Sequence, residues 1–345
     1  MGLSKAHALR YSGAPTRLIR SPSRSHVLMM PRIAVLGCGY WGANHVRTLK
    51  SLGVLAAVSD ANPDRAEGFA VEHDCQAIAP DALYAHPAID AIVMALPPQF
   101  HAQAAIRAVD GGKDVLVEKP IALTVEDAER AVAAAARAGR LFMTGHVLRF
   151  HPAFVKLKAL VDAGDLGEVR YIHSHRLGLG KFHTENDALW DLAPHDLSMI
   201  LAITGTAPIE VRGEGAALLD RLSDFAHLHM RFPNGLRSHL FTSRLNPYRE
   251  RRLTVVGTKA MAVFDDVEPW ARKLAFYRHA VWQDSGQWAF TTNEPTYVPV
   301  EEGMPLTREL EHFLSCIETR ELPLTSGEEA IDVLKILTAG TVTHA

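Results

Sequence analysis

Two short segments of this sequence carry side chains suited to proton and alkoxide chemistry. Lys119 follows a predicted strand within Glu118-Lys119-Pro120, where its ammonium could hold a substrate oxygen and stabilise a developing alkoxide. Asp191 and His195 are four residues apart, on one face of a helix that Pro194 predicts to begin near Asp191 or Leu192. A histidine near a helix N-terminus favours its neutral form, as a general base requires, and the aspartate can orient it. The plain alternatives are a surface lysine before a turn and an aspartate that only caps its helix.

Two further segments follow predicted strands. Leu96-Pro97-Pro98 and His101 come after strand 90–95, and His146 and Arg149 follow strand 141–145. In open α/β sheets the ligand lies beyond the carboxyl ends of the strands, so we expect these residues near one crevice. A hinge with a solvated arginine is the alternative interpretation of the second segment.

A glycine motif indicates what the crevice binds. An apolar strand at 32–36 runs into Gly37-Cys38-Gly39-Tyr40-Trp41-Gly42, the Gly-x-Gly-x-x-Gly pattern of dinucleotide-binding sites. The next strand ends at Asp60, whose carboxylate can accept both ribose hydroxyls of NAD and would repel the 2′-phosphate of NADP. The sequence therefore predicts NAD as cofactor, with NADP disfavoured.

Basic and histidine residues in the second half raise two further hypotheses. An anionic substrate could be held by charge-assisted hydrogen bonds from a scattered basic set, although a solvated face explains most of it equally well. Two histidine pairs share strand faces, but neither has a clear third ligand at short spacing, so we expect no metal site. The basic set is Arg176, Lys181, His183, Arg244, Arg249, Arg251 and Arg252, and the pairs are His173 with His175 and His227 with His229.

Composition sets the class of protein. The 345 residues are 48% hydrophobic and 22% charged, which predicts a folded protein of about two domains. A net charge of −3 gives no case for nucleic acid, and no apolar run is long enough to span a membrane. Three dispersed cysteines indicate neither a disulfide framework nor a zinc site, so we predict a cytoplasmic protein.

The order of elements predicts two domains after a basic tail. Residues 1–30 contain five basic and no acidic residues and favour a disordered extension, with a transit peptide as the alternative; Met29 and Met30 offer another start. Residues 31–149 alternate strands (32–36, 54–59, 90–95, 113–117, 141–145) with helices (41–52, 63–73, 98–111, 124–138), as in a doubly wound parallel sheet. Residues 150–345 read as an α+β domain with a large, mostly antiparallel open sheet, containing strands such as 169–175, 226–232, 236–242, 252–256 and 260–264. Helices are expected at 152–163, 306–319 and 327–339.

Taken together, the glycine motif, Leu96-Pro97-Pro98 with His101, Glu118-Lys119-Pro120, and Asp191 with His195 resemble the glucose-fructose oxidoreductase/inositol dehydrogenase/rhizopine-catabolism (Gfo/Idh/MocA) family over about residues 31–340. The resemblance implies a Rossmann domain and a sheet domain that mediates homodimers or homotetramers. It also implies that Lys119 binds substrate and tunes proton transfer, that His195 is the acid/base and that Asp191 assists it. Ser198 stands where many members have a second acid. The implied cofactor residues are Gly37, Gly39, Tyr40, Trp41, Gly42, Asp60, Leu96, Pro97, His101, Glu118, Lys119 and His146, and the implied substrate residues are Arg149, Arg176, Lys181 and His195.

Within that family, segments 173–181, 189–198 and 245–266 resemble the group that oxidises nucleotide sugars such as UDP-N-acetylglucosamine or its uronic acid at the C3 hydroxyl. The implied function is hydride transfer between a sugar hydroxyl and NAD. Three alternatives stay open: a dehydrogenase of inositol or simple sugars, an NAD-dependent glycosidase that oxidises its substrate transiently, and a non-catalytic NAD-binding regulator.

Overall fold

The computed structural model describes residues 30–180, 182 and 187–341, so the predicted basic extension and Lys181 lie outside the described residues. The described residues from Pro31 to Thr341 belong to one compact unit. Cys38, Cys75 and Cys316 are free thiols. Among the described residues, no helix is both long and apolar enough to cross a bilayer.

A six-stranded parallel sheet occupies the first part of the chain, as predicted. Its strands are β1 (Ile33–Leu36), β2 (Leu55–Ser59), β3 (Gln76–Ala77), β4 (Ala91–Met94), β5 (Asp114–Glu118) and β6 (Phe142–Gly145). Their spatial order is β3-β2-β1-β4-β5-β6, and the apolar residues of β1, β4 and β5 are buried. The helices between them are α1 (Gly42–Ser51), α2 (Pro63–His73), α3 (Pro80–Leu83), α4 (Pro98–Asp110) and α5 (Val125–Ala138).

Local capping explains the bounds of α5. Thr124 lies at its N-cap, and its Oγ1 accepts a hydrogen bond from the backbone N–H of Asp127 at 3.1 Å, which confirms the predicted cap. Gly139 ends the helix in the left-handed conformation with φ of 63°. The sequence did not predict the short β3 and α3.

An eight-stranded, mostly antiparallel sheet occupies the second part. Its strands are β7 (Val169–Leu179), β8 (Glu210–Ala216), β9 (Phe225–Arg231), β10 (Arg237–Ser243), β11 (Leu245–Gly257), β12 (Ala260–Asp265), β13 (Leu274–Arg278) and β16 (Thr296–Tyr297), in the order β16-β13-β12-β11-β7-β10-β9-β8. Only β7 and β10 pair in parallel among these neighbours. A separate hairpin joins β14 (Ala280–Asp284) to β15 (Gln287–Thr291).

Helices cover one face of this second sheet. They are α6 (Pro152–Asp162) and α7 (Ala188–Thr204), and α9 (Gly327–Gly340) joins them, while α8 (Pro305–Thr319) packs near α1. Two 3₁₀ turns, Val147–Phe150 and Trp270–Arg272, complete the described elements. The opposite face, called here the open sheet face, carries half-buried or exposed rings of Tyr171, His173, His175, Phe225, His227, His229, His239 and Phe241. The predicted domain boundary at 149/150 stays a prediction; α9 also packs against α5 and β6.

The start of α7 differs from the prediction. The helix begins at Ala188, and Asp187 caps it by accepting a hydrogen bond from Trp190 N–H at 2.8 Å. Pro194 therefore lies inside the helix, where its missing N–H removes one intrahelical bond. The expected start near Asp191 was wrong because the tolerance of proline for the first turn was given more weight than an aspartate cap one turn earlier.

Candidate active site

The turn after β1 has the geometry that a dinucleotide pyrophosphate requires. Gly37 has φ of +96°, and a Cβ there would lie 2.5 Å from the carbonyl oxygen of Ala95. A Cβ on Gly42 would lie 1.8 Å from the carbonyl oxygen of Gly37, so α1 could not approach the strand. A Cβ on Gly39 would meet nothing within 4 Å, which leaves open space before the N-terminus of α1. The residues therefore fit a bound diphosphate.

Asp60 follows β2 and is tied to this turn. Its Oδ2 accepts a hydrogen bond from Cys38 N–H at 2.8 Å, and its Oδ1 accepts one from Asn62 N–H at 2.8 Å. The Arg65 guanidinium lies 3.4 Å from Oδ1. Arg65 Nη1 donates to both oxygens, at 3.4 Å and 3.5 Å, so a ribose hydroxyl would have to replace these long contacts. The charge of Arg65 also offsets part of the negative charge on which the expected exclusion of NADP depends.

Glu118 closes the other side of the turn. Its Oε1 accepts a hydrogen bond from the Trp41 indole and lies 2.8 Å from Nε2 of His45, a buried residue of α1. Burial alone would raise the pKa of Glu118, but His45, Trp41 and the charge of Lys119 together lower it, so the carboxylate is ionised. The carboxyl end of β5 is thereby fixed to α1.

His101 holds the next segment. Its Nδ1 lies 2.8 Å from the carbonyl oxygen of Pro120, and burial lowers the pKa of the ring. Pro97 is the N-cap of α4, and a Cβ on Gly37 would lie 3.2 Å from Leu96 Cδ2. Leu96, Pro97 and His101 thus shape the wall around the glycine turn, and Tyr40 is 79% exposed beside it.

Lys119 and Asp191 are in contact at the crevice. The Lys119 ammonium donates to the backbone carbonyl of Asp191 at 2.9 Å and lies 3.4 Å from its Oδ1. The contact joins the carboxyl end of β5 to α7. Both side chains are partly exposed, so a ligand in the crevice can reach them.

His195 lies one helical turn beyond Asp191. Its pKa is well below the ordinary histidine value, mainly because of burial and then because of the positive charges of Lys119 and Arg176, with smaller contributions from His146 and Arg251. The ring is therefore neutral at neutral pH and able to accept a proton. The expected cause, a helix N-terminus, was wrong because α7 begins two turns earlier.

The predicted orienting bond from Asp191 to His195 is also absent among the described residues, which offer His195 Nδ1 no hydrogen-bond partner.

The expected substrate arginines are both paired with acids. The Arg176 guanidinium contacts the carboxylate of Asp196 through two nitrogens, one of them 3.2 Å from Oδ1, and both residues are buried. Because this pair lies on the helix-covered side of the sheet, Arg176 acts on the crevice through its charge near His195. The predicted contact of Arg176 with substrate stays a prediction.

His146, Arg149 and Ser198 converge on a residue that the sequence did not single out. Glu329 of α9 lies 3.0 Å from His146 Nδ1, accepts from Arg149 at 3.1 Å and accepts from the Ser198 hydroxyl at 2.5 Å. Burial would raise the pKa of Glu329, but His146 and Arg149 lower it below the ordinary glutamate value. A buried carboxylate from the last helix thus belongs to the crevice.

Metal ligation has no support in this geometry. Among the described residues, no group of three or more His, Cys, Asp or Glu side chains is arranged to hold a metal ion.

Comparison with known proteins identifies two family regions. The profile "Oxidoreductase family, NAD-binding Rossmann fold" of the Gfo/Idh/MocA group matches residues 31–146, and the "GFO/IDH/MocA C-terminal domain" profile matches residues 154–263. UDP-N-acetylglucosamine 3-dehydrogenase from Acidithiobacillus ferrooxidans is 33% identical over 236 residues, which cover 68% of this chain and 74% of that protein. A solved structure of the enzyme of this name from the same organism aligns with TM-score 0.79 at 29% identity, covering 90% of this chain and 96% of the other. The scyllo-inositol 2-dehydrogenase (NAD⁺) of Bacillus subtilis is 25% identical over 327 residues, 90% of this chain and 93% of that protein.

Proposed function

The chain belongs to the Gfo/Idh/MocA family of oxidoreductases, and we propose that it is an NAD-dependent dehydrogenase of a sugar secondary hydroxyl, with a nucleotide sugar as substrate. The observation that carries the proposal is the juxtaposition of Lys119 with Asp191, one helical turn from a neutral His195. The relatives that oxidise UDP-N-acetylglucosamine and inositol support the CH–OH chemistry.

In the proposed oxidation, each residue of the crevice has a separate role. Lys119 donates a hydrogen bond to the substrate oxygen and stabilises the negative charge that develops there. His195 accepts the hydroxyl proton as the C–H bond breaks, so the alcohol loses one proton and one hydride and becomes a ketone. NAD, when bound, accepts that hydride. Asp191 holds the Lys119 ammonium in place.

Cofactor choice follows from Asp60. Its carboxylate stands at the end of β2, beyond the glycine turn, where the adenosine ribose is expected. We propose NAD over NADP because a 2′-phosphate would meet this carboxylate; Arg65 weakens the repulsion.

A nucleotide sugar suits the positive charge near His195. Arg251 lies close enough to lower the pKa of His195, and its own pKa is lowered to about 10 by burial and by the charges of Arg176 and Arg249. Cations that repel one another favour a bound anion such as a diphosphate or a carboxylate.

The first experiment is absorbance at 340 nm with NAD and separate panels of UDP-sugars, simple sugars and inositols. NADH formation with a UDP-sugar but not with the others is the expected result. Formation only with inositol would replace the nucleotide-sugar assignment. Cleavage of a glycoside without net NADH would identify the glycosidase alternative, and NAD binding without turnover of any substrate would favour the regulator.

We also propose that the protein is a homodimer or homotetramer that buries the open sheet face, whose rings are half-exposed in a single chain. Light scattering after size-exclusion chromatography should give two or four times the mass of one chain; a single-chain mass would contradict this proposal. Location in the cytoplasm stays a prediction, supported by three unpaired cysteines.

A further inference from the structure

The N-terminus of α9 is held at the carboxyl end of β6 by local backbone contacts. Thr144 N–H donates to the carbonyl of Thr325 at 2.8 Å, and the Thr325 hydroxyl donates to the carbonyl of Thr144 at 2.7 Å. A Cβ on Gly327 would lie 2.5 Å from a methyl carbon of Val132, so only glycine allows this approach of α9 to α5. The first turn of α9 is therefore fixed beside the residues that follow β6.

Within that turn, the side chain of Glu329 does not cap its own helix. Ser326 caps α9, and Glu329 is the third helical residue, where a glutamate commonly reaches back to the capping residue. Instead, its two carboxylate oxygens are shared between partners from other elements. Oε2 contacts His146, while Oε1 contacts Arg149 and Ser198.

The contact fixes the tautomer of a neutral His146 ring. An ionised carboxylate can only accept hydrogen bonds, so the proton of a neutral His146 must be on Nδ1. Nε2 then carries the lone pair, and the described residues give it no hydrogen-bond partner. In its protonated form His146 would lower the pKa of His195, so the two rings lie in the same crevice. One ring nitrogen is thus committed to α9, and the other is available to a ligand.

We propose that Glu329 is a positioning residue for the reaction: it sets the tautomer and orientation of His146, and it holds Arg149 beside that ring. The inference rests on the proposed dehydrogenase function for its kinetic consequence but not for its structural one. Glu329 contacts neither Lys119 nor His195 among the described contacts, so its effect on turnover passes through His146 and Arg149.

Three substitutions of Glu329 test whether this residue positions His146 and Arg149 or only helps α9 to pack against the rest of the protein. Glu329→Ala removes both acceptors. Glu329→Asp keeps the charge and a residue that suits a helix N-terminus, but it withdraws the carboxylate by one methylene group. Glu329→Gln keeps one acceptor oxygen for His146 at the original distance, but an NH2 group replaces the oxygen that accepts from Arg149 and Ser198. We expect turnover to fall about 10- to 100-fold in the Ala and Asp variants and by a smaller factor in the Gln variant, which retains the acceptor for His146 but not the partner of Arg149.

Arg320→Gln provides a matched control. Arg320 joins the same closing segment to the parallel sheet through an ion pair with Asp114, 3.0 Å between its second nitrogen and Oδ1, at the amino end of β5 and away from the crevice. This variant should lower the melting temperature without changing turnover or the His146 tautomer. Equal turnover in Glu329→Asp and Arg320→Gln would overturn the proposal.

A direct readout needs no substrate. Long-range ¹H–¹⁵N spectra of the full chain with labelled histidine report which ring nitrogen carries the proton, and His146→Gln assigns the signal. We expect protonated Nδ1 in the unmodified protein and in Glu329→Gln, and a mixed tautomer in Glu329→Asp. An unchanged His146 signal in Glu329→Asp would overturn the inference. If the unmodified protein turned over no substrate, the proposed function would fail, while these spectra would still decide the role of Glu329.

Discussion

At the crevice, buried or half-buried cations lie beside carboxylates: Lys119 beside Asp191, Arg176 beside Asp196, and Arg149 beside Glu329. On the open sheet face, imidazoles lie mainly against one another. His227 Nδ1 is 3.1 Å from His239 Nε2, and His229 stacks on His239 with ring centres 4.7 Å apart.

The two regions show that the density of ionisable residues does not identify a site. Around His195, the paired cations are held by acids of α7 and α9, and the charges of Lys119 and Arg176 lower the pKa of one neutral base. On the open sheet face, the lowered pKa of His239, about 4, comes from burial and then from the neighbouring histidines. The first arrangement can move a proton to a defined acceptor, whereas in the second the lowered pKa values of His173, His227 and His239 disfavour protonation of these rings.

The largest expected effect is at His195. His195→Ala should lower kcat about 10²- to 10⁴-fold with little change in NAD affinity, because a base acts in the transition state and not in cofactor binding. Steady-state kinetics and a separate NAD titration measure the two. If kcat and NAD affinity fell by the same factor, His195 would be a buried structural residue and not the catalytic base.

Lys119→Met should lower turnover about 10²- to 10³-fold by removing the donor to the substrate oxygen. It should also move the acid limb of the kcat/KM profile to higher pH, because the charge of Lys119 is the second largest cause of the lowered pKa of His195. Lys113→Met is the matched control: its ammonium donates to the carbonyls of His86 and Ile89 at 2.7 Å near the amino end of the same strand. Lys113→Met should lower the stability of the protein and leave the pH profile of kcat/KM unchanged. If the acid limb of that profile did not move in Lys119→Met, the charge of Lys119 would not affect the pKa of His195.

A smaller effect is expected at Asp60. Asp60→Asn keeps an acceptor for Cys38 N–H but loses the charge, so the preference of kcat/KM for NAD over NADP should fall about tenfold. Arg65→Gln should act in the opposite direction, because it removes the cation that offsets Asp60. An unchanged preference in both variants would place cofactor discrimination elsewhere.

The sequence predicted five strands of the parallel sheet because each of them is a short, largely buried apolar run, and it predicted α2 and α5 because both have strong boundary signals. Helix α2 has the predicted bounds, 63–73, and α5 begins after its predicted cap. The crevice residues Lys119, Asp191 and His195 could be found because strand ends and a four-residue helical spacing are local features.

Contacts between distant elements could not be predicted in the same way. Ser326-Gly327-Glu328-Glu329 has the pattern of an ordinary capping box, so nothing in it indicates that Glu329 reaches His146, 183 residues earlier. The shared faces of His173 with His175 and of His227 with His229 follow from the two-residue period of a strand. Their union on one surface depends on the parallel pairing of β7 with β10, a register that no short motif encodes.

The smallest expected effect belongs to the open sheet face. His239 has an ordinary pKa of 6.5 when exposed and about 4 in the fold. Between these two pH values the unfolded chain binds more protons than the folded chain. The free energy of unfolding therefore increases as the pH rises through this range and decreases as the pH falls. Because the ring is partly exposed in a single chain, its contribution there is about 1 kcal/mol. His239→Gln should flatten the pH dependence of unfolding between about pH 4 and pH 6.5, whereas His73→Gln, outside the cluster, should not. Denaturant unfolding at fixed protein concentration measures the free energy of unfolding of each variant as a function of pH. If this free energy changed equally with pH in the unmodified protein and both variants, packing on the open sheet face would not disfavour protonation of His239.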